Sequence, residues 1–533
     1  MGVEQHPPAT PAPAAEPAPP KKKDDGFGDY VNILSGTSQN LVGIVIAALA
    51  TFAAQILMGR TLGPAGFGVV TLMTQAAFVL SFLTRAGMDM AVLRDVAIEA
   101  GVGRWDRIRV PVARAVLIAT VVSTLAALAA LLSTDSVADV FSIRPELRDY
   151  IVEAAAIGLP FLALANVWLS ATRGLKIMRY TLYVFWAGQP VVWVLLMLIG
   201  WRLSETTWMS TLAYSASWAL AAVAAFAFWR KESRGWEAAP MEPGAIGRLI
   251  RYAGPRAPAA LFSQLLFWTD LFVLTRYVAD DSVGRYAAAL RAGQVLVLFL
   301  TSVSLMFSPF VADLHNRGET ERLDKLFKAL TRWTLAATMP AFILLAVAPG
   351  PVLRIFGSGF SSGPAETALI IILLGQFVNM ATGSVGFVLI MVGRTGWDLV
   401  VYAASLALNL ALAFWLCPEF GLVGAAVANA VTFALSKWAR LLLVRRFVGI
   451  QPYNREYGRI VAPSVACAGV MWVVHTVVGG EGLVDLVATG AAGTAAYGVV
   501  YLLVGLTEAE RRGAKRVVEL VKGRMGTRSG TSA

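Results

Sequence analysis

Five ionisable side chains stand inside or at the edge of long apolar runs: Arg85, Arg114, Arg256, Asp270 and Arg291. A charge at mid-bilayer costs roughly 3 kcal/mol or more, so such groups usually face a protein interior or a wet cavity. A guanidinium keeps its charge when buried, and its planar fork meets two oxygens of an anion at once. Thr74, Ser81 and Arg85 fall on one helix face, as do Arg256, Ser263 and Asp270, each set within about 40° at 100° per residue. Arg291 shares a face with Ser302, eleven residues on. Arg85, Arg114 and Arg256 lie within about three residues of helix ends, so they either line a lumen or snorkel to the headgroups. Asp270 and Arg291 flank a short polar break, Tyr277–Gly284, and fall at similar depth if the two runs form an antiparallel hairpin. That geometry allows a structural ion pair between them. Amides inside the spans form a second tier: Asn40, Gln55, Gln75, Gln264, Gln294, Gln376, Asn379 and Asn429, for most of which interhelical hydrogen bonding is the expected use.

The elements that must position these groups follow from composition. Of 533 residues, 57% are hydrophobic and only 15% charged, and the mean hydropathy is +0.64. Soluble domains carry about 25% charged residues, so this is a membrane protein. The net charge of +11 is spread over many short loops, a pattern of membrane topology and not of a phosphate-binding nucleic-acid surface. Cys417 and Cys467 both lie in apolar runs, and His6, His315 and His475 are scattered. They suit small buried thiols and no metal cluster.

Residues 1–29 are rich in Pro and Ala, carry Lys21, Lys22 and Lys23, and read as a disordered cytoplasmic tail without a signal-peptide core. Fourteen membrane helices are predicted after it, near 37–57, 66–88, 111–133, 149–170, 180–201, 208–229, 254–277, 284–311, 332–350, 365–392, 397–417, 421–444, 459–478 and 483–504. One alternate set of loops holds Arg104, Arg107, Arg109, Arg230, Lys231, Arg445 and Arg446 among many cations, and the other set holds few. The first set is therefore assigned to the cytoplasm, with both termini. Pro160, Pro190, Pro309 and Pro340 mark expected kinks. Thr507 and Glu510 have capping-box spacing at the start of a basic tail, residues 505–533, which reads either as a helix lying on the membrane or as a solvated segment.

The turn Arg60–Gly68 is matched by Arg276–Gly284 at an offset of 216, and Arg230-Lys231 by Arg445-Arg446 at 215. Two like-oriented six-helix lobes follow, 30–231 and 254–446, with an extra helix pair at 459–504. Gln75 and Arg291 then occupy matching positions, seven residues after the repeated glycines.

Leu62-Gly63-Pro64-Ala65-Gly66-Phe67-Gly68 resembles the LGP-x-x-(F/Y)-G turn of bacterial oligosaccharide flippases. Trp268-Thr269-Asp270, Val283-Gly284-Arg285-Tyr286, Pro309-Phe310 and the Phe420–Ala428 run resemble further motifs of that family, in order. Over about 37–505 the chain is thus similar to the polysaccharide-transport branch of the multidrug/oligosaccharidyl-lipid/polysaccharide exporter superfamily. The resemblance implies an all-α membrane fold of about fourteen helices in a V of two lobes. It also implies a flippase, not an enzyme, that moves a polyprenyl-diphosphate-linked oligosaccharide across the bacterial cytoplasmic membrane for surface polysaccharide biosynthesis. On this reading Arg85, Arg114, Arg256 and Arg291 form a cationic lumen for the diphosphate, and Asp270 trades partners with a coupling proton or sodium ion. No cofactor and no nucleic acid are implied; membrane lipid, a polysaccharide polymerase or glycosyltransferases are the expected partners. Related readings are a lipid II flippase and a drug/cation antiporter of the same superfamily. A membrane glycosyltransferase or polymerase fits less well, because the first outer loop, Gly59–Ala65, holds no acid and no nucleophile–base set is present.

Overall fold

The computed structural model describes residues 27–237, 239–240, 245–480, 482–507 and 510. Most of the expected amino-terminal tail and the basic segment after Glu510 lie outside the described residues, as do the side chains of Asn40, Arg256 and Pro309. Every regular element among the described residues is helical, which is the form that satisfies backbone polar groups within one segment in hydrocarbon. The first half runs α1 (Phe27–Thr84), α2 (Met88–Gly101), α3 (Arg109–Leu132), α4 (Thr134–Val140), α5 (Ile151–Gly174), α6 (Arg179–Thr181), α7 (Gln189–Gly200) and α8 (Thr207–Glu232). The second runs α9 (Ala245–Leu274), α10 (Asp280–Asn316), α11 (Thr320–Val347), α12 (Pro349–Arg354), α13 (Gly363–Thr382), α14 (Val385–Met391) and α15 (Thr395–Val448). A last pair, α16 (Val461–Val478) and α17 (Leu483–Val500), follows.

Eleven described segments are long and apolar enough to span a membrane, with Ala260–Leu274 a shorter apolar helix beside them. The two longest elements, α1 and α15, each hold two of the predicted helices across a break. Gly63 (φ 66°) followed by Pro64 breaks α1, and Gly421 (φ 53°) after Pro418 breaks α15. Both breaks need the left-handed backbone that glycine adopts at least cost. By contrast Pro160 and Pro340 sit inside α5 and α11 without interrupting them. Helix α2 was not foreseen from hydropathy; it buries one face through Met88, Ala91, Val92 and Val96 and leaves the other exposed.

Burial separates core from periphery. The most apolar windows of Ile46–Thr84, α5 and Asp280–Ser304 are 72%, 67% and 61% buried, against 22% for those of the α3, α16 and α17 spans. The outer helices carry exposed Leu125, Leu132, Trp472, Val477 and Leu503, an apolar surface of the kind a lipid contact requires. Both cysteines are free and buried.

The expected α9–α10 hairpin is splayed. α9 packs mainly on α15, whereas α10 packs mainly on α1 and α13. The reason lies at the Gly63 end. A Cβ placed on Gly68 would stand 2.7 Å from the Gly284 nitrogen, and one on Gly284 would stand 1.8 Å from the Pro64 carbonyl oxygen. The two glycines paired in the sequence repeat are therefore the crossing point of α1 and α10. Around it Arg60 Nε donates to the Ile355 carbonyl (3.0 Å) and Arg285 Nε to the Gly359 carbonyl (2.9 Å). Arg144 bridges Asp280 and Asp281 at 3.1 and 2.7 Å, and Phe67 stacks edge-on against Phe356 and Phe360. This end of the bundle is sealed.

At the opposite end, the capping box forms as expected: Thr507 N–H and hydroxyl donate to Glu510, and Glu510 N–H donates to Thr507 Oγ1. Glu510 also accepts from Arg332, which is 2% exposed, and from the Trp333 indole. Burial pushes the Glu510 carboxyl up, but the Thr507 N–H, the Trp333 N–H and the Arg332 guanidinium outweigh it and hold it below the ordinary glutamate value.

Two outcomes are expected. Gly284→Ala destabilises the detergent-solubilised protein by about 1–3 kcal/mol through overpacking, read as a lower Tm, whereas Gly498→Ala, where nothing lies within 4 Å, leaves it near wild type. Equal Tm values for the two variants would remove the close crossing. Because the Glu510 carboxyl is held low, its stabilisation is complete above 4.5 and is lost as pH falls through the folded value. The Tm gap between wild type and Glu510→Gln is thus widest near neutral pH and closes in acid; a gap independent of pH would refute an ionised latch.

Candidate functional site

Because α1 and α10 cross at Gly68 and Gly284 and then diverge, a space opens between them further along. It holds about 380 Å³, within the roughly 300–1,000 Å³ typical of small-molecule sites. Its wall comes from α1, the segment before and into α7, α8, α9 and α10. Before α7 the chain makes a wide π turn, Leu182–Gly188, ahead of Pro190. Such turns recur at functional sites, and this one carries Phe185 and Trp186 into the wall, with Gln189 just beyond it.

Along α10 the lining stripe is Arg291, Gln294, Leu298 and Thr301, the i, i+3, i+7, i+10 spacing of one helix face. Among the described residues lining the cavity, Arg291 carries the only formal charge. Its guanidinium stands 4.6 Å from the centre of the Trp268 ring, and Nη1 donates to Gln294 Oε1 at 3.3 Å. Its buried Nε has no partner. Cation–π attraction offsets part of the desolvation of the charge, and no described carboxylate lies within ion-pair reach of it. The site can therefore accept an anion.

The rest of the wall alternates amides with aromatic rings. Gln55, Gln75, Gln189, Gln264 and Gln294 contribute the amides; Trp186, Trp193, Trp218, Trp268 and Tyr214 contribute rings. Gln75 and Arg291, the matching positions of the sequence repeat, thus face one space. Four amides of the second tier, Gln55, Gln75, Gln264 and Gln294, meet here. Gln189 and the tryptophans were missed. Gln189 obeys the same rule as the other amides, a polar group deep in an apolar run. Tryptophans inside a span, away from the interfacial belts where they usually collect, were the second signal.

Of the remaining expected site residues, Arg85 and Arg114 lie elsewhere. Arg85 is 3% exposed; it pairs with Asp89 at 3.1 Å, donates to Ser81, and stands 3.9 Å from the centre of the Phe82 ring. It is held in a buried ion pair and does not line the cavity. Arg114 is exposed on α3 and does not line it either. Arg256 belongs to α9, with its side chain outside the described residues. The expected faces are also turned by about one residue. Thr74 and Ser81 are buried and bonded to their own helix, while Gln75 and Phe78 line the space. On α9 the lining residues are Gln264, Phe267 and Trp268, and on α10 Thr301 lines it in place of Ser302.

Asp270 does not pair with Arg291. It is fully buried, and its Oδ2 accepts from the Tyr286 hydroxyl on α10 and from Asn429 Nδ2 on α15 (3.1 Å). Its Oδ1 has no partner, and neither do the amide atoms of buried Asn409 or the hydroxyl of buried Thr432, both also on α15. The hairpin splay explains this: α9 turns its acid toward α15 and its Trp268 toward Arg291.

A family model described as polysaccharide biosynthesis protein matches residues 33–315, and one described as MatE matches 255–415. The chain is 26% identical over 239 residues to the probable low-salt glycan biosynthesis flippase Agl15 of Haloferax volcanii, covering 45% of this chain and 50% of that one. It thus spans about half the length of that relative. It is 21% identical over 416 residues to a putative O-antigen transporter of Shigella flexneri, covering 76% of this chain and 96% of the other. Among solved structures the lipid II flippase MurJ in an inward closed conformation superposes with a TM-score of 0.67 at 14% identity, covering 87% of this chain and 98% of that one. At that identity the likeness establishes the fold.

If Arg85 serves the fold alone, Arg85→Ala leaves Asp89 buried and uncompensated and costs about 3–5 kcal/mol, while the Arg85→Ala/Asp89→Ala double variant costs less. Thermal unfolding of the purified variants tests this; an Arg85→Ala protein as stable as wild type would return the residue to the list of ligand groups.

Proposed function

Since the chain belongs to the polysaccharide biosynthesis protein family, matched over more than half its length, we propose that it is a flippase for a polyprenyl-diphosphate-linked oligosaccharide. The observation that carries this reading is Arg291: an unpaired cation, seated on Trp268, in a cavity with no other formal charge among its described lining residues. A diphosphate entering from a leaflet exchanges its hydration for the Arg291 fork and neighbouring amides, which offsets the cost of desolvating the anion. The polyprenyl chain stays in lipid while the headgroup crosses.

The sealed Gly63 end faces the outside under the loop-charge orientation, so the cavity is loaded from the inner leaflet. Release outward requires the Gly68–Gly284 crossing and the Arg60, Arg285 and Arg144 contacts to part, and the opposite end to close, by rocking of one half against the other. Asp270 is the coupling group in this scheme. A proton or sodium ion at its unpartnered Oδ1 would draw charge from the carboxylate, weaken the Tyr286 and Asn429 hydrogen bonds at Oδ2, and so change how α9 and α10 are held to α15. This replaces exchange between Asp270 and Arg291, which are not in contact. An organic-cation antiporter is disfavoured by the charge of Arg291 and the lack of acid among the described lining residues. A lipid II substrate shares the same headgroup chemistry and is a second reading, supported by the MurJ-like fold.

In proteoliposomes, Arg291→Ala is expected to lower flipping of a fluorescent polyprenyl-diphosphate saccharide by about 10–100-fold, the worth of one or two charge-assisted hydrogen bonds, with Arg291→Lys in between. Wild-type rates for Arg291→Ala would overturn the substrate assignment. Imposed proton or sodium gradients accelerate the wild type but not Asp270→Asn; a variant still driven by the gradient would exclude Asp270 as the coupling group.

A further inference from the structure

The cavity holds unpaired hydrogen-bonding atoms of both kinds. Gln55 Oε1 is a buried acceptor without a partner, and the Trp218 Nε1–H and Arg291 Nε–H are buried donors without one; all three residues line the same space. Gln189 gives its amide nitrogen to Ser217 Oγ at 3.0 Å, so its carbonyl oxygen remains for a ligand. Gln294 gives its carbonyl to Arg291, so its NH₂ remains. Buried polar groups left unmatched are costly, and these are matched only by a ligand that both donates and accepts.

An ionised carboxylate only accepts. It could accept from Trp218 and Gln294 but would meet Gln55 and Gln189 oxygen to oxygen, and its strongest partner, Arg291, is already committed to the diphosphate. Hydroxyl groups and an acetamide present both roles, and the apolar face of a pyranose ring lies well against indole rings such as Trp186 and Trp268. The volume of about 380 Å³ has room for a diphosphate with the sugar next to it.

We infer that this collar of amides and indoles is a subsite for the lipid-proximal sugar, and that it selects an uncharged sugar bearing an acetamido group over an acidic one. The inference rests on the diphosphate reading of Arg291 but adds a determinant separate from it. Sugars further from the lipid make little difference, because they fall outside the collar.

Three probes separate the two claims: farnesyl diphosphate, farnesyl diphosphate carrying one N-acetylhexosamine, and farnesyl diphosphate carrying one uronic acid. Binding to the purified full-length protein is measured by calorimetry. The N-acetylhexosamine probe is expected to bind about tenfold more tightly than the bare diphosphate, as two or so matched hydrogen bonds provide, and the uronic acid probe no more tightly than the bare one. Gln55→Leu and Trp218→Phe each bring the ratio of N-acetylhexosamine to bare-diphosphate affinity toward one, whereas Arg291→Ala weakens all three probes. Equal binding of the bare and N-acetylated probes, or preference for the acidic sugar, overturns the subsite. Indifference of the bare diphosphate to Arg291→Ala overturns the diphosphate reading instead.

Discussion

Backbone passes backbone at Gly68 and Gly284 with no room for a methyl group, and the remainder of the architecture depends on that approach. Two helices held so closely at one end must diverge along their length if larger side chains lie between them. Here those side chains are Gln75 and Phe78 on α1 and Arg291, Gln294 and Leu298 on α10. The crossing also draws α10 away from α9, although only a short turn joins them. The splayed pair still meets where Trp268 stands against Arg291 and where Asp270 accepts from Tyr286, and Asp270 also reaches Asn429 on α15. One steric fact thus creates the space, assigns the acid and the base to different environments, and seals one end.

Two polar systems result, and they differ in kind. The Asp270 cluster is buried and partly satisfied, held by Tyr286 and Asn429 within the second half of the chain. The Arg291 system faces an open space and is stabilised by a ring face and an amide instead of a counter-ion. A buried cation without a carboxylate keeps its field directed into the cavity, where a salt bridge would have cancelled it. Arg85 illustrates the contrast, since the Asp89 carboxylate beside it cancels the charge that Arg291 leaves directed into the cavity.

Hydropathy made the membrane class, the helical breaks at Gly63 and Gly421, the capping box and the buried cysteines legible, because each depends on local chemistry or on depth. Azimuth was not legible. Helices that are apolar on every side carry no stripe that marks the inward face, so Thr74 and Ser81 were assigned the wall that Gln75 and Phe78 occupy. The Asp270–Arg291 pair failed for a related reason: equal depth on adjacent helices does not imply contact when small residues elsewhere pull the helices apart. The amides of Gln55, Gln75, Gln264 and Gln294 were a better guide than Arg85 and Arg114, since cations near helix ends have outlets to the interface that deep amides lack.

The seal at the Gly63 end has an uneven chemistry. Arg60 and Arg285 grip the carbonyl oxygens of Ile355 and Gly359, whereas Arg144 grips two carboxylates. A main-chain oxygen is present whatever side chain a mutation installs, and acid cannot neutralise it. Two of these three contacts are therefore indifferent both to drift at the positions they fasten and to acid, whereas the Arg144 grip on Asp280 and Asp281 is open to both.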